Sequence, residues 1–373
     1  MEFLIKRDQL LAGIGRAQSI VERRHTMPIL ANVLLEAQGK EVTIKTTDLE
    51  VGLAGTYPAQ VKKGGRITAP ARKLYEIIRE LAHEDVFLKT KENNWIELKC
   101  GSALFNVVGL DAAEYPALPS FDEVGFCPFP CKRLKDMLDM TVFAASTDET
   151  RYNLNGIYWE LKSRNGDKVL RLVATDGHRL SQIDWDGAVQ LNLPAGVILP
   201  KKGVTELRRL LEDAESEENV ELSFQKNHGL FRRESQFLVV RLIEGDFPDY
   251  EQVIPKGAAK KATIIREAFL AALRRVSLLS AEKGKGVKFT FASGNLEVSA
   301  RNPDLGEAQE RLEVEFAGEE EFSIAFNAKY IMDVLAAIKA EKVVFEFNDE
   351  LSPGVIRPVS EEKYLSLIMP MRM

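Results

Sequence analysis

Apolar positions along this chain alternate between two periods, and the alternation occurs three times. Leu10, Ile14, Ala17 and Val21 fall at the i, i+4, i+7, i+11 spacing of a single buried helix face. Leu134, Leu138, Thr141 and Ala145 take those places further on, and Phe269, Leu273, Val276 and Ser280 take them again. Each stripe follows a strand-like start with a basic residue, at Ile5-Lys6-Arg7, Cys131-Lys132-Arg133 and Ile265-Arg266-Glu267. A second helix pattern enters from a short strand in each unit, with cores at Leu74/Ile78/Leu81, Leu207/Leu211 and Ile331/Leu335/Ile338. Strand-rich blocks follow at Asp85-Val86-Phe87-Leu88, Asn219-Val220-Glu221-Leu222 and Lys342-Val343-Val344-Phe345. The remaining segments alternate apolar and polar residues between Gly, Asn and Asp turns, as antiparallel strands do.

The pattern predicts an α+β chain of three pseudo-repeated domains, each with two helices packed on antiparallel sheet. The expected domains are 1–120, 121–253 and 254–373, of ordinary domain size at roughly 120 residues each. Loop formers mark both junctions, at Pro116-Ala117-Leu118-Pro119-Ser120 and Ile254-Pro255-Lys256-Gly257-Ala258-Ala259. Identity between the repeats is low, so three unrelated α+β domains stand as the alternative on pattern alone.

Composition narrows the class. The 373 residues are 45% hydrophobic and 28% charged, the make-up of a globular protein. No stretch approaches the roughly 20 apolar residues of a membrane helix. The start Met1-Glu2-Phe3-Leu4-Ile5-Lys6-Arg7-Asp8 has no signal-peptide pattern, so the expected location is the cytoplasm. Cys100, Cys127 and Cys131 are too few and poorly spaced for a disulfide framework, and Cys127 and Cys131, which could share a metal, have no His or Cys pair nearby to complete a site, so reduced thiols and no cofactor are expected.

The net charge of −6 argues against a surface that coats nucleic acid all over. Its distribution says more. Opposite the helix cores lie Arg16, Arg72, Arg79, Lys202, Arg209, Arg274, Arg275 and Lys329, with small residues Ala12, Gly15, Ala271 and Ala336 between them. Glu76, Glu80, Asp136 and Asp333 interrupt these faces, while acid concentrates in residues 212–218 and 319–321. Helix faces of this kind, turned inward together, would touch phosphates without reading bases.

Six motifs then stand in order: His25-Thr26-Met27-Pro28-Ile29-Leu30, Thr47-Asp48-Leu49-Glu50, Arg151-Tyr152-Asn153-Leu154-Asn155-Gly156, Ala174-Thr175-Asp176-Gly177-His178-Arg179-Leu180, Glu244-Gly245-Asp246-Phe247-Pro248-Asp249-Tyr250 and Met369-Pro370-Met371-Arg372. In these the chain resembles the bacterial DNA polymerase III β clamp family over its whole length. The resemblance implies a head-to-tail homodimer that closes six domains into a ring around duplex DNA, without a catalytic step of its own. It also implies a set of partners: the polymerase III alpha subunit, an ATP-dependent clamp loader, and other clamp-binding proteins such as repair polymerases, ligase and mismatch-repair proteins. Membranes are not among them.

Residue by residue, the family's peptide cleft carries over to Leu154, Thr175, Gly177, His178, Arg179, Leu180, Pro248, Val253, Leu367, Met369, Pro370 and Met371. Leu, Val, Pro and Met make an adaptable apolar trough, with His178 and Arg179 as polar anchors at its rim. DNA contacts carry over to Arg24, Arg72, Lys73, Tyr152, Lys201 and Lys202, and the dimer contact to Phe105 and Val107 on one side and Leu278 and Leu279 on the other. Two positions depart from the family: Gln252 replaces a basic residue, and Asn153 replaces a second aromatic.

Two other readings remain at this point. Asp176 and His178 are the residues an enzyme would use as an acid–base pair, in a hydrolase or transferase. The cleft motifs alone would also suit a monomeric peptide-binding scaffold.

Overall fold

The computed structural model describes residues 1–21, 27–119, 125–164, 166–187, 191–193, 196–281, 285–316, 318, 320–361 and 363–372. The expected junction at 120/121 lies outside them; the segment 254–259 is a loop without regular structure. Among the described residues six α-helices form: α1 (Arg7–Gln18), α2 (Ala71–Arg79), α3 (Cys131–Asp139), α4 (Lys201–Leu210), α5 (Arg266–Val276) and α6 (Ala328–Ala337). Among the described residues no helix is long and apolar enough to cross a membrane.

The apolar stripes of α1, α3 and α5 run past the helix ends, and the reason is local. Ser19 Oγ donates to the Arg16 carbonyl (2.8 Å), Thr141 Oγ1 to that of Met137 (2.8 Å) and Ser277 Oγ to that of Arg274 (3.3 Å). Each hydroxyl takes a carbonyl of the last turn and competes with helix continuation. The stripe stays buried beyond α3 and α5 because 3-10 turns at Val142–Ala144 and Ser277–Leu279 carry it on, leaving Thr141, Ala145 and Ser280 inside.

By compactness the chain forms two units, to both of which the central repeat contributes. The first comprises Met1–Arg133, Gln190–Asn192 and Lys202–Leu242. Its twelve strands make one sheet, ordered Ala103–Val108, Trp95–Cys100, Asp85–Thr90, Glu2–Lys6, Val51–Lys63, Gln236–Arg241, His228–Arg233, Asn219–Gln225, Cys127–Pro130; three further strands branch from this path. Val51–Lys63 is the pivot. Its start pairs antiparallel with Gln236–Arg241, and its end pairs with Glu2–Lys6, so one strand completes the sheets of two repeats. Leu10, Ile14, Leu74 and Ile78 of α1 and α2 close the core over this sheet, all fully buried.

The turn before that strand holds its place by charge. Leu49 adopts a left-handed φ of 77°, and Asp48 Oδ1 accepts from the N–H groups of Glu50 (2.9 Å) and Val51 (2.6 Å). The other Asp48 oxygen pairs with Lys202 on α4. Beside it, a Cβ at Gly203 would sit 2.2 Å from Val240 Cγ1, so only glycine lets α4 approach the sheet. Glu206 is buried on the same helix and accepts from Ser19 Oγ (2.7 Å) and Arg209 Nη1 (2.5 Å). Burial raises its pKa above the usual carboxylate range, against the pull of Ser19 and Arg209.

The second unit comprises Leu134–Val189, Leu193–Lys201 and Ile243–Met373. Its nine-stranded sheet runs Val197–Pro200, Gly156–Arg164, Asp167–Thr175, Arg179–Trp185, Tyr364–Ile368, Gly354–Pro358, Lys342–Phe347, Lys260–Ile265, Glu315–Phe316. The last strand of the chain is therefore an internal strand of this sheet. A four-stranded sheet, Gly306–Glu313, Asn295–Asn302, Gly286–Ala292, Phe322–Asn327, joins it through an aromatic core. There Phe345 meets Phe326 at 5.3 Å and Phe289 at 6.4 Å between ring centroids, the latter edge-to-face.

Lys202→Met leaves the Asp48 carboxylate buried without its counter-charge. The expected outcome is a loss of about 2–3 kcal/mol, read as a lower urea midpoint, with part of it recovered in Asp48→Asn/Lys202→Met.

Candidate peptide cleft and basic helix faces

A cavity of about 280 Å³ opens on the second unit. Leu154, Thr175, Gly177, His178, Arg179, Leu180, Pro248, Val253, Leu367 and Met369 line it, together with Asp249 and Tyr250. Three walls bring these residues together: the 3-10 segment Glu149–Leu154, the turn between the strands Asp167–Thr175 and Arg179–Trp185, and the 3-10 turn Tyr250–Val253. Leu180 and Leu367 pair across neighbouring strands and, with Val173, Val355 and Leu365, make a buried apolar floor. Val253 and Met369 stay partly exposed at the mouth, 48% and 38%. A buried apolar floor with a partly exposed apolar rim suits an extended chain bearing large apolar side chains.

Of the residues carried over to the cleft, Pro370 and Met371 stand apart from this lining. Met371 N donates to the Ala325 carbonyl (2.8 Å), which runs the chain end alongside the strand Phe322–Asn327. Tyr250, which the cleft reading passed over, is a wall residue; the signal was its place at the end of the Glu244-to-Tyr250 motif. Its hydroxyl donates to Glu160 and accepts from Arg171 Nη1 (3.2 Å), whose fork also grips Asp184 at 2.7 and 2.9 Å. Burial pushes the Tyr250 phenol above the usual tyrosine range. Phe247 stacks on Tyr158 at 4.7 Å and fixes the approach to Pro248.

The turn from Thr175 to Leu180 is held almost entirely by side chains. Thr175 Oγ1 donates to the Arg179 carbonyl (2.6 Å) and accepts from Gly177 N (3.1 Å). Asp176 Oδ1 accepts from the N–H groups of His178 (2.9 Å) and Arg179 (3.0 Å), and Oδ2 accepts from Arg179 Nε (3.0 Å). Gly177 has a φ of 86°, where a side chain would be strained and its Cβ would lie 2.9 Å from Arg151 Nη1. His178 is exposed, and its carbonyl accepts from Met369 N (2.9 Å). Both oxygens of Asp176 are thus engaged elsewhere than on the His178 ring, which dismantles the acid–base pair. Arg179, read from sequence as a rim anchor, is 8% exposed, and its guanidinium faces inward onto Asp176, Asp333 and the Phe143 carbonyl.

The two departures from the family pattern have structural roles of their own. Asn153 Nδ2 donates to the Asp246 carbonyl (2.9 Å), and Gln252 Nε2 donates to Asp249 Oδ2 (2.7 Å).

The expected DNA contacts are distributed over both units. Arg72 and Lys73 are exposed on α2 and share Glu76, at 3.2 and 2.5 Å. Lys202 is tied to Asp48, whereas Tyr152 is 58% exposed. Burial, then the nearby Arg179 and Lys329 charges, lowers the pKa of Lys201. Arg24 lies outside the described residues. Much of the basic face is internally balanced: Arg16 meets Asp213, Arg79 meets Glu80, Arg275 meets Glu310 and Lys329 meets Asp333. Exposed pairs of this kind are weak.

Phe105 and Val107 lie on Ala103–Val108, the terminal strand of the twelve-stranded sheet. Leu278 and Leu279 lie in the 3-10 turn after α5, with Leu278 77% exposed.

Comparison with known proteins settles the family. Sequence profiles of the DNA polymerase III beta subunit match in order: the N-terminal domain over residues 1–119, the central domain over 129–249 and the C-terminal domain over 251–372. The chain is 38% identical over 377 residues to the beta sliding clamp of Caulobacter vibrioides, with 100% of both chains covered. The chain belongs to the DNA polymerase III beta subunit family. The Pseudomonas aeruginosa beta sliding clamp is 34% identical over 375 residues, again with 100% of both covered. Among solved structures, a sliding clamp from Bartonella birtlesii bound to griselimycin superposes with a TM-score of 0.95 at 35% identity, and Caulobacter crescentus pol III beta with 0.92 at 38%. Both matches cover 100% of each chain. As a member of this family the chain is built of three clamp domains and is a DNA-replication processivity factor without catalytic activity.

Thr175→Val removes the hydroxyl that both donates and accepts within the cleft turn. A loss of about 1–2 kcal/mol is expected, seen as a drop in urea midpoint with unchanged slope.

Proposed function

We propose that this chain encircles duplex DNA as a head-to-tail homodimer and tethers the replicative polymerase through the cavity on its second unit. The observation that carries the reading is the convergence of ten cleft residues, taken from four separate sequence segments, on one apolar cavity. Each subunit contributes clamp domains at 1–120, 121–253 and 254–373, giving a six-domain ring. The free edge of Ala103–Val108 and the exposed Leu278 support the closing contact: an unpaired strand edge and an uncovered leucine both invite a second copy.

The cavity receives an extended peptide from the polymerase III alpha subunit, from the clamp loader, and in turn from repair polymerases, ligase and mismatch-repair proteins. Tethering raises the polymerase's effective concentration at the primer end without a tight DNA contact. Arg72, Lys73, Tyr152, Lys201 and Arg24 meet the duplex backbone, and the loose ion pairs of the helix faces favour sliding over fixed binding. Lys202 joins them while also holding Asp48. The cytoplasm is the location this role requires.

Light scattering over a dilution series tests the ring: a particle of twice the subunit mass is expected, and a monomer at every concentration would favour the scaffold reading. Deleting residues 369–373 removes Met369 from the cavity; binding of an alpha-subunit peptide should be lost while the dimer mass persists. Arg72→Gln/Lys73→Gln should flatten the dependence of DNA binding on log salt by about 2, from the loss of two phosphate contacts. A slope unchanged by the pair would remove those residues from the DNA face.

A further inference from the structure

Asp333 lies on α6, outside the cavity lining, yet the cavity's most constrained wall hangs from it. Its Oδ2 accepts from Arg179 Nη1 at 2.6 Å and from Lys329 Nζ at 2.8 Å. The rest of the Arg179 guanidinium is engaged as well: Nε on Asp176 (3.0 Å), Nη2 on the Phe143 carbonyl (2.5 Å), with the Tyr330 ring centroid at 4.4 Å and that of Phe143 at 5.5 Å. A guanidinium removed this far from water needs its counter-charges in fixed positions. The surrounding charge is not generous. Arg151, Arg179, Lys201 and Lys329 act on this neighbourhood against Asp176 and Asp333.

Through Arg179 the effect of Asp333 reaches the cleft. Arg179 holds Asp176 Oδ2, while Asp176 Oδ1 caps the amides of His178 and Arg179. The cavity lining from Thr175 to Leu180 is thus suspended between a carboxylate of its own and one on α6. We propose that Asp333 is a positioning residue for the peptide cleft, acting through Arg179 to hold that turn in its binding geometry. This rests on the cleft reading given above. Without Asp333, Arg179 is left among like charges with Asp176 as its only carboxylate partner among the described residues, and the guanidinium and the turn shift together.

The test is a double-mutant cycle read by fluorescence anisotropy of a labelled alpha-subunit peptide. Asp333→Asn should weaken binding about tenfold, the size of one charge-assisted hydrogen bond. In an Arg179→Met background the same change should matter less than about twofold, because the residue it acts through is gone. Equal losses in both backgrounds, or no loss in Asp333→Asn alone, would overturn the proposal. Lys329→Met leaves Asp333 to Arg179, so affinity should hold; a loss equal to that of Asp333→Asn would assign the effect to the surface of α6 instead. Hydrogen exchange gives an answer independent of the Arg179 variant. In Asp333→Asn the amides of Gly177, His178 and Arg179 should lose protection while those of Tyr364–Ile368 keep it, and unchanged protection in the turn would sink the idea. A wild-type protein that fails to bind the peptide at all refutes the cleft reading itself; normal wild-type binding with an indifferent Asp333→Asn refutes only the role of Asp333.

Discussion

Backbone N–H and C=O groups of buried strands must be paired, and at two places in this chain the pairing strand comes from another repeat. Val51–Lys63 hydrogen-bonds to Glu2–Lys6 at one end and to Gln236–Arg241 at the other. Arg179–Trp185 pairs with Tyr364–Ile368, 187 residues later by the separation of Leu180 and Leu367. Successive repeats are therefore continuous through main-chain hydrogen bonds, and a strand at such a seam cannot slip by one residue without turning its apolar face to water. The cleft depends on this. Its floor is the row Leu180 and Leu367 at one of these seams, and its walls are the loops the seam brings together.

Charge does two different jobs on this scaffold. Where it is buried it is geometric: Asp48 with Lys202, Arg171 with Asp184, and Arg179 with Asp176 and Asp333 each fix a turn or a strand end. Where it is exposed, on α2 or beside Lys329, pairs such as Arg72 with Glu76 are weak and interchangeable. A surface of that second kind would hold a phosphate backbone loosely, as the proposed sliding role requires. The division also fits the acidic net charge, since in the proposed ring only the face turned to DNA has to be basic.

The amphipathic stripes made both helices of every repeat legible, and nearly all the named core positions are buried. The stripe does not reveal where a helix stops. That was decided by Ser19, Thr141 and Ser277, whose hydroxyls take backbone carbonyls and whose effect depends on rotamers that periodicity does not encode. The candidate cleft was legible through its motifs down to most of the lining. Tyr250 was overlooked because its outward role hangs on Glu160 and Arg171, residues distant in sequence.

What this sequence determined by itself is whatever depends on local order: the threefold repeat, the α+β class, the burial stripes, and the motifs that place the chain in its family. What only the tertiary structure decided is the function of individual polar side chains. Arg179 reads as a rim anchor and is an enclosed strut; Lys202 reads as a phosphate contact and also neutralises Asp48; Asp333 reads as an interruption of a basic face and meets Arg179. The reason is physical. A charged side chain's role is set by the charges and donors within a few ångströms of it, and in this fold those neighbours come from distant segments, as with Arg179 and Asp333, 154 residues apart.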